Sequence, residues 1–218
     1  MTAVKIYQMV VGPIQTNCYL VADDAGNTAV IDPGDDGQQI ARQLKRNGLT
    51  PKAILLTHGH NDHIGGIKAL KAEFPDVPVM IHTLDEYRFD DNSLRVPEWG
   101  VLDPSQYEGL YADRLLQDGD EIAVGDLNFT VIATPGHTQG GVTFRCGEYL
   151  FSGDTLFRDS IGRTDLAGGD YRELLRSLVK LAKLEGEFCV LPGHGDATSL
   201  DYERSRNVYI REAMMTAK

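Results

Sequence analysis

Four side chains that can bind a metal ion fall within six consecutive positions of the segment THGHNDHIGG. They are His58, His60, Asp62 and His63, and they follow KAILLT (52–57), an apolar run typical of a buried strand. Side chains in the loop that leaves such a strand can converge on one point. Imidazole and carboxylate ligands together suit Zn, Fe or Mn. The spacing therefore predicts a metal site in this loop.

Three later segments share one design, in which a strand-like run ends in a tight turn that carries a possible ligand. TPGHT contains His137, FSGDT contains Asp154 and LPGHG contains His194. Five histidines and two aspartates are too many for one tetrahedral zinc. They suit two ions that share a carboxylate and a bridging hydroxide, since paired ions lower the pKa of bound water to about 7. We therefore expect two divalent ions per chain, zinc first, with Fe or Mn as alternatives. The sixth histidine, His82, lies within a strand-like run, so we predict a structural or supporting role for it.

The hydrophobic pattern predicts the elements that must place these residues. Strand-like runs cover 4–11, 18–23, 28–34, 52–57, 77–82 and 187–194. Hairpins are predicted over 121–136, turning at Gly125, and over 141–154, turning near Gly147. Helical spacing covers 38–49, 64–74, 171–184 and 199–214. Each half contributes a sheet and at least one helix, which favours two packed sheets with helices outside.

Composition restricts the class of protein. The 218 residues carry a net charge of −11, which disfavours nucleic acid as a partner because an acidic surface repels phosphates. No apolar run reaches the roughly 18 residues of a membrane span, and the N-terminus lacks the features of a secretory signal. Cys18, Cys146 and Cys189 suit free thiols in a reducing compartment. We expect a cytoplasmic protein with a small-molecule substrate and no membrane partner, and the sequence gives no indication of its oligomeric state.

The ligand pattern resembles the metallo-β-lactamase superfamily. The signature H-x-H-x-D-H is present at residues 58–63, and the later His, Asp and His match His137, Asp154 and His194 in order. The resemblance covers nearly the whole chain and implies an α/β protein with the αββα four-layer sandwich, two mixed β-sheets with helices on the outside and the site at the sheet edges. It implies that one metal is held by His58, His60 and His137, the other by Asp62, His63 and His194, and that Asp154 bridges them. It also implies that Asp32, in VIDPG, supports a ligating histidine; the alternative is a turn aspartate before Pro-Gly.

Two segments resemble the glyoxalase II branch of this superfamily, namely GDTLFRDSIGRTD (153–165) and TNCYL (16–20). Members of that branch hydrolyse hydroxyacylglutathione thioesters, which implies thioester cleavage by a metal-bridging hydroxide with Asp62 and Asp154 as catalytic residues. Full-length members carry a C-terminal helical extension, whereas 24 residues follow His194 here. This resembles the short bacterial type, and we predict a single domain over 1–218.

Other functions remain open at this point. GRTD (162–165) is also similar to the persulfide dioxygenase branch, whose members use one iron with O₂. A hydrolase of another small ester or lactone fits the same ligands, and so does a metal-binding sensor without turnover. Arg158 and Arg163 could recognise a substrate carboxylate or form ordinary surface salt bridges.

The irregular stretch 83–118 could be a surface excursion or a lid. It holds Tyr87, Trp99, Tyr107 and Tyr111.

Overall fold

A computed structural model describes residues 3–89, 107 and 109–216. In this part of the chain, two six-stranded sheets lie face to face. The first contains β1 (Lys5–Val11), β2 (Thr16–Ala22), β3 (Asn27–Ile31), β4 (Thr50–Leu55), β5 (Val79–His82) and β6 (Arg114–Leu116). The second contains β7 (Glu121–Val124), β8 (Leu127–Ala133), β9 (Val142–Cys146), β10 (Tyr149–Gly153), β13 (Cys189–Pro192) and β14 (Thr198–Ser199). A small ribbon pairs β11 (Leu156–Phe157) with β12 (Ser160–Ile161).

Both large sheets mix parallel and antiparallel pairs. The first is ordered β1-β2-β3-β4-β5-β6, antiparallel up to β3 and parallel from there on. The second is ordered β14-β13-β10-β9-β8-β7, with one parallel pair between β10 and β13. The two predicted hairpins are confirmed as β7–β8 and β9–β10.

The helices cover the outer faces of the sheets. They are α1 (Gly37–Arg46), α2 (Asn61–Ile64), α3 (Ile67–Glu73), α4 (Tyr171–Ala182), α5 (Leu200–Arg206) and α6 (Val208–Thr216), with a 3-10 helix over Thr83–Phe89. None of the helices in the described part of the chain combines the length and the apolar character that a membrane span needs.

Three apolar layers hold the sandwich together. Strand β2 shows the principle, because successive side chains point to opposite faces of a sheet. Leu20 packs with α1 and α3, whereas Tyr19 and Val21 pack against the second sheet. The third layer joins the second sheet to the C-terminal helices, for example Leu150 to Leu178. Both sheets are therefore covered on both sides, and the expected αββα four-layer arrangement is confirmed.

The prediction of one continuous helix over 199–214 is wrong, because the segment forms two helices, α5 and α6. Asn207 separates them with an extended backbone (ψ 119°). Its side-chain amide donates to Ser160 O and to Glu203, and its oxygen accepts the backbone N–H groups of Tyr209 and Ile210 at the start of α6. This capping satisfies amide donors at the start of the new helix and favours the break. Buried positions keep a helical spacing across the break, at Leu200, Glu203, Asn207 and Ile210, but two of these side chains are polar.

Candidate metal centre

One edge of the sandwich collects the residues with metal-binding chemistry. Strands β3 and β4 are parallel neighbours, so Asp32 and the 58–63 loop leave the first sheet at the same end. Strands β8, β10 and β13 share one direction in the second sheet, and His137, Asp154 and His194 follow their carboxyl ends. Loops at the carboxyl ends of such strands meet in space. The structure thus brings all seven predicted ligands to one place.

The cluster divides into two triads with Asp154 between them. The first triad consists of His58, His60 and His137, and the second of Asp62, His63 and His194. Within each triad, the possible ligand atoms lie within 4.8 Å of one another. These are the two triads that the family resemblance implies.

Asp154 contacts members of both triads. Its Oδ2 lies 3.5 Å from His137 Nε2 and 3.6 Å from His194 Nε2, and its Oδ1 lies 3.5 Å from His63 Nε2. Its carboxylate is therefore placed to be shared between two ions.

The spacing of the donor atoms fits metal ions. Four ligands at about 2.0–2.1 Å from a tetrahedral zinc stand about 3.3 Å apart. His194 Nε2 is 3.2 Å from Asp62 Oδ2, and His63 Nε2 is 3.4 Å from His194 Nε2. Within the described residues, His58 Nε2 and Asp154 Oδ1 are buried without a hydrogen-bond partner. Buried polar atoms normally have partners, and a metal ion in this cluster would supply the missing contact to these two atoms. The cluster is suited to a dinuclear metal site.

Asp32 orients His63 from behind. Its Oδ2 lies 2.9 Å from His63 Nδ1 and also accepts the Thr57 hydroxyl at 2.6 Å, while its Oδ1 accepts the Thr57 backbone N–H at 2.8 Å. A ring N–H directed at the carboxylate leaves His63 Nε2 free for a metal. Asp32 has φ +49°, a left-handed conformation that aspartate tolerates better than most residues. The structure thus places Asp32 where the resemblance implies, in contact with a predicted ligand.

Two other histidines are also held through their second ring nitrogen. His137 Nδ1 lies 2.7 Å from the carbonyl oxygen of Arg163. His58 Nδ1 lies 3.1 Å from the Thr57 hydroxyl. Both contacts turn Nε2 of the ring towards the cluster.

The pKa values of the clustered histidines favour binding of cations. Burial, reinforced by neighbouring imidazoles and by Arg88, lowers the pKa of His58 and His60 well below the ordinary value, which favours the neutral form that binds metal. Burial alone would also lower the pKa of His63, but the carboxylates of Asp62, Asp154 and Asp32 raise it to about 10. In the metal-free chain a proton on His63 therefore balances this negative charge, and a divalent ion can take its place.

Residues that sequence reasoning missed hold the loops of the second triad. The Thr16 hydroxyl donates to Asp62 Oδ2 at 3.0 Å. The Asn17 amide donates to the carbonyls of Pro192 and Gly195, at 3.0 and 2.9 Å, on both sides of His194. A Cβ on Gly193 would lie 2.3 Å from Asp154 Oδ1, so only glycine fits there. Thr16 and Asn17 belong to the TNCYL segment, which resembles the glyoxalase II branch, but that resemblance implied no role for either residue.

Other sequence-selected residues lie around the cluster without joining it. His82 accepts the Leu84 backbone N–H at 3.3 Å. The Arg163 side chain is half exposed and forms a two-point ion pair with Asp165, and Arg158 lies 5.5 Å above the Tyr202 ring. Their recognition of a substrate carboxylate stays a prediction.

The tyrosine and tryptophan residues of the irregular stretch do not share one environment. Tyr87 and Tyr111 are exposed, whereas Tyr107 is buried and donates to Asn61 O at 3.3 Å. Trp99 lies outside the described residues.

Comparisons with known proteins agree with this geometry. The chain matches the metallo-beta-lactamase superfamily over residues 11–194. It is 38% identical to the probable metallo-hydrolase YqgX of Bacillus subtilis (94% of this chain, 97% of the relative) and 33% identical to hydroxyacylglutathione hydrolase GloC of Haemophilus influenzae (90% and 93%).

Solved structures give the same picture. The BLEG-1 B3 metallo-beta-lactamase superposes with a TM-score of 0.88 at 39% identity, covering 94% of this chain and 99% of that one. The protein TTHA1623, solved in a di-iron-bound form, gives 0.83 at 39% identity (94% and 100%). ETHE1 from Myxococcus xanthus gives 0.77 at 27% identity (97% and 88%).

Proposed function

The chain belongs to the metallo-beta-lactamase superfamily, and from this premise we propose that it hydrolyses a thioester, such as a hydroxyacylglutathione, at a pair of divalent ions. The observation that carries the proposal is the pair of triads around one shared carboxylate, Asp154. The relative from Haemophilus influenzae, named as a hydroxyacylglutathione hydrolase, supports this substrate class.

Each triad would hold one of the two ions. His58, His60 and His137 would hold one ion, Asp62, His63 and His194 the other, and Asp154 would contact both. When bound, two such ions lower the pKa of water to about 7 and polarise the acyl carbonyl. We propose zinc as the physiological metal, with Fe or Mn able to occupy the same imidazole and carboxylate donors.

Asp62 is the carboxylate best placed to act on a water molecule at this centre. Burial by itself raises its pKa, but the charge of His63 and the contact with His194 hold the pKa well below the usual range, so the group stays ionised. Oδ2 is fixed by the Thr16 hydroxyl and by His194 Nε2, at 3.0 and 3.2 Å. Such an ionised carboxylate can accept a hydrogen bond from the attacking water and orient it.

Cleavage of a thioester does not require a strong general acid beside the leaving group. The thiol has a pKa of about 8.5, so the thiolate departs without a strong acid beside it. A cleft of about 520 Å³ opens next to the His137 loop, between Pro135, Gln139 and Gly168. We propose that the thiol portion of the substrate extends to this side, since Pro135 and Gly136, which line the cleft, directly precede His137.

The test is metal quantification on freshly purified protein together with hydrolysis of S-lactoylglutathione. We expect about two ions per chain and measurable thioester cleavage. Asp154→Ala should lose activity and at least one ion, whereas Asp76→Ala, which removes an exposed carboxylate in the α3–β5 turn, should behave as wild type. Full metal content and rate in Asp154→Ala would contradict the proposal.

The GRTD segment supports a second candidate, oxidation of a persulfide at a single iron. Iron is also the metal of the solved neighbour in its di-iron-bound form. About one Fe per chain with O₂ uptake on a persulfide, and no thioester cleavage, would favour this activity over thioester hydrolysis.

A further inference from the structure

A buried ion pair lies behind the first triad, in a segment where sequence analysis expected a lid or a surface excursion. Asp85 and Arg88 occupy the 3-10 helix over Thr83–Phe89, and both side chains are fully buried. Arg88 Nε lies 3.3 Å from Asp85 Oδ1. A buried ion pair adds little net stability compared with apolar side chains of similar volume. Stability alone therefore does not explain why Asp85 and Arg88 occupy these positions.

Asp85 joins two ligand loops that come from different sheets. Its Oδ2 accepts the backbone N–H of Gly59 at 2.9 Å, between His58 and His60. Its Oδ1 accepts the backbone N–H of Gly140 at 2.8 Å, three residues after His137. One carboxylate thus ties together the backbones that carry all three members of the first triad.

The two glycines are shaped to this contact. A Cβ on Gly59 would lie 2.7 and 2.8 Å from the Arg88 stem, and a Cβ on Gly140 would lie 2.7 Å from Asp85 Cβ. Real Cβ atoms do not approach other atoms so closely, so both loops need glycine to rest on the pair.

Arg88 extends the connection to a third loop. Its Nη2 donates to the carbonyl oxygen of Ala167 at 3.0 Å. The same loop holds Arg163, whose carbonyl oxygen contacts His137 Nδ1. The pair therefore reaches His137 both through Gly140 and through the 163–167 segment.

We propose that Asp85 and Arg88 are positioning residues that set the metal affinity of the His58, His60 and His137 triad, and of that triad selectively. This inference rests on the metal centre of the proposed function and not on its substrate. The second triad is held by other groups, since Asp32 contacts His63 and Thr16 contacts Asp62. Loss of a group that orients metal ligands typically weakens binding about 10–100-fold.

The experiment isolates each triad in the full-length chain. His194→Ala removes a member of the second triad, and His137→Ala removes a member of the first. Asp85→Asn is then added to each background, because asparagine keeps the shape but retains one acceptor oxygen for two N–H donors. Zinc affinity of the chelator-stripped proteins is measured by competition with a chromophoric chelator.

We expect Asp85→Asn to weaken zinc binding about 10–100-fold in the His194→Ala background and less than about 3-fold in the His137→Ala background. Thr16→Val is the matched control and should show the reverse pattern, since its hydroxyl contacts Asp62. If Asp85→Asn fails to fold, Arg88→Lys replaces it, because lysine keeps the charge but loses the planar fork.

Equal weakening in both backgrounds, or none in either, would overturn the inference and leave the proposed function intact. A wild-type chain that binds no metal would overturn the metal centre, and this inference with it.

Discussion

Asp32→Asn is the substitution whose consequence the structure defines most sharply. Asn has nearly the same shape and tolerates the positive φ of 49° at this position. The aspartate accepts three hydrogen bonds, two from Thr57 and one from His63. The amide of asparagine offers one oxygen and one NH₂ group in place of two oxygens.

Neither orientation of the amide preserves all three contacts. With NH₂ at the Oδ1 position, it faces the Thr57 backbone N–H, and two donors meet. With NH₂ at the Oδ2 position, the Thr57 hydroxyl can accept, but His63 Nδ1 must accept as well. The ring proton of neutral His63 then moves to Nε2, the nitrogen that faces Asp154 and His194. The favoured orientation therefore blocks the predicted metal-binding atom.

The size of the effect follows from the loss of one charge-assisted hydrogen bond. Such a bond contributes about 1.5–3 kcal/mol. Metal affinity should therefore fall about 10–100-fold, which corresponds to about 1.4–2.7 kcal/mol. The ion of the Asp62, His63 and His194 triad should be the one that weakens.

Zinc competition titrations on the metal-free protein measure this directly, with thermal unfolding as a check on folding. Asp36→Asn is the matched control, because Asp36 also has a positive φ (54°) and lies at the start of α1, away from the cluster. Unchanged zinc affinity and stoichiometry in Asp32→Asn would refute the orienting role of Asp32 and restore the turn-aspartate alternative.

Three further outcomes can be measured on the same preparations. In the metal-free chain, burial lowers the pKa of His63, but the nearby carboxylates outweigh burial and raise it to about 10. The contribution of His63 to the free energy of unfolding is therefore present below about pH 6.5 and is lost as pH rises towards 10. Denaturant unfolding across this range should show the decline, and zinc should suppress it. Phe144→Ala, at a fully buried position between the sheets, should lower the free energy of unfolding by about 3–5 kcal/mol in urea titrations. His82→Ala should leave the metal content unchanged, since its ring accepts a backbone N–H of Leu84 outside both triads.

Each of these has a clear contrary result. A metal-free chain equally stable at pH 6.5 and pH 10 would show that His63 is not protonated beside the carboxylates. A loss below about 1 kcal/mol for Phe144→Ala would contradict its place in the inter-sheet core. Loss of an ion in His82→Ala would make His82 a ligand.

Local pattern predicted the larger elements, and residue type singled out seven candidate ligands that the structure brings together. Alternating and continuous apolar runs predict strands because side chains in a sheet have a period of two, and β2 is buried on both faces as such a run requires. The ligand segments stand out because they contain five of the six histidines of the chain, each at the end of a predicted strand or in the loop that follows it. These signals lie within a few neighbouring positions, so a sequence displays them directly.

The supporting residues became visible only in three dimensions. Asp85 contacts backbone atoms 26 and 55 positions away, and Asn17 contacts carbonyls 175 and 178 positions away. Asn207 interrupts the last helix, and its side-chain amide donates to Ser160 O, 47 positions away. Such roles depend on which distant segments the packed sheets bring together. Residue type and short spacing therefore identify the candidate ligands, whereas the orientation of each one is decided by contacts that exist only in the folded chain.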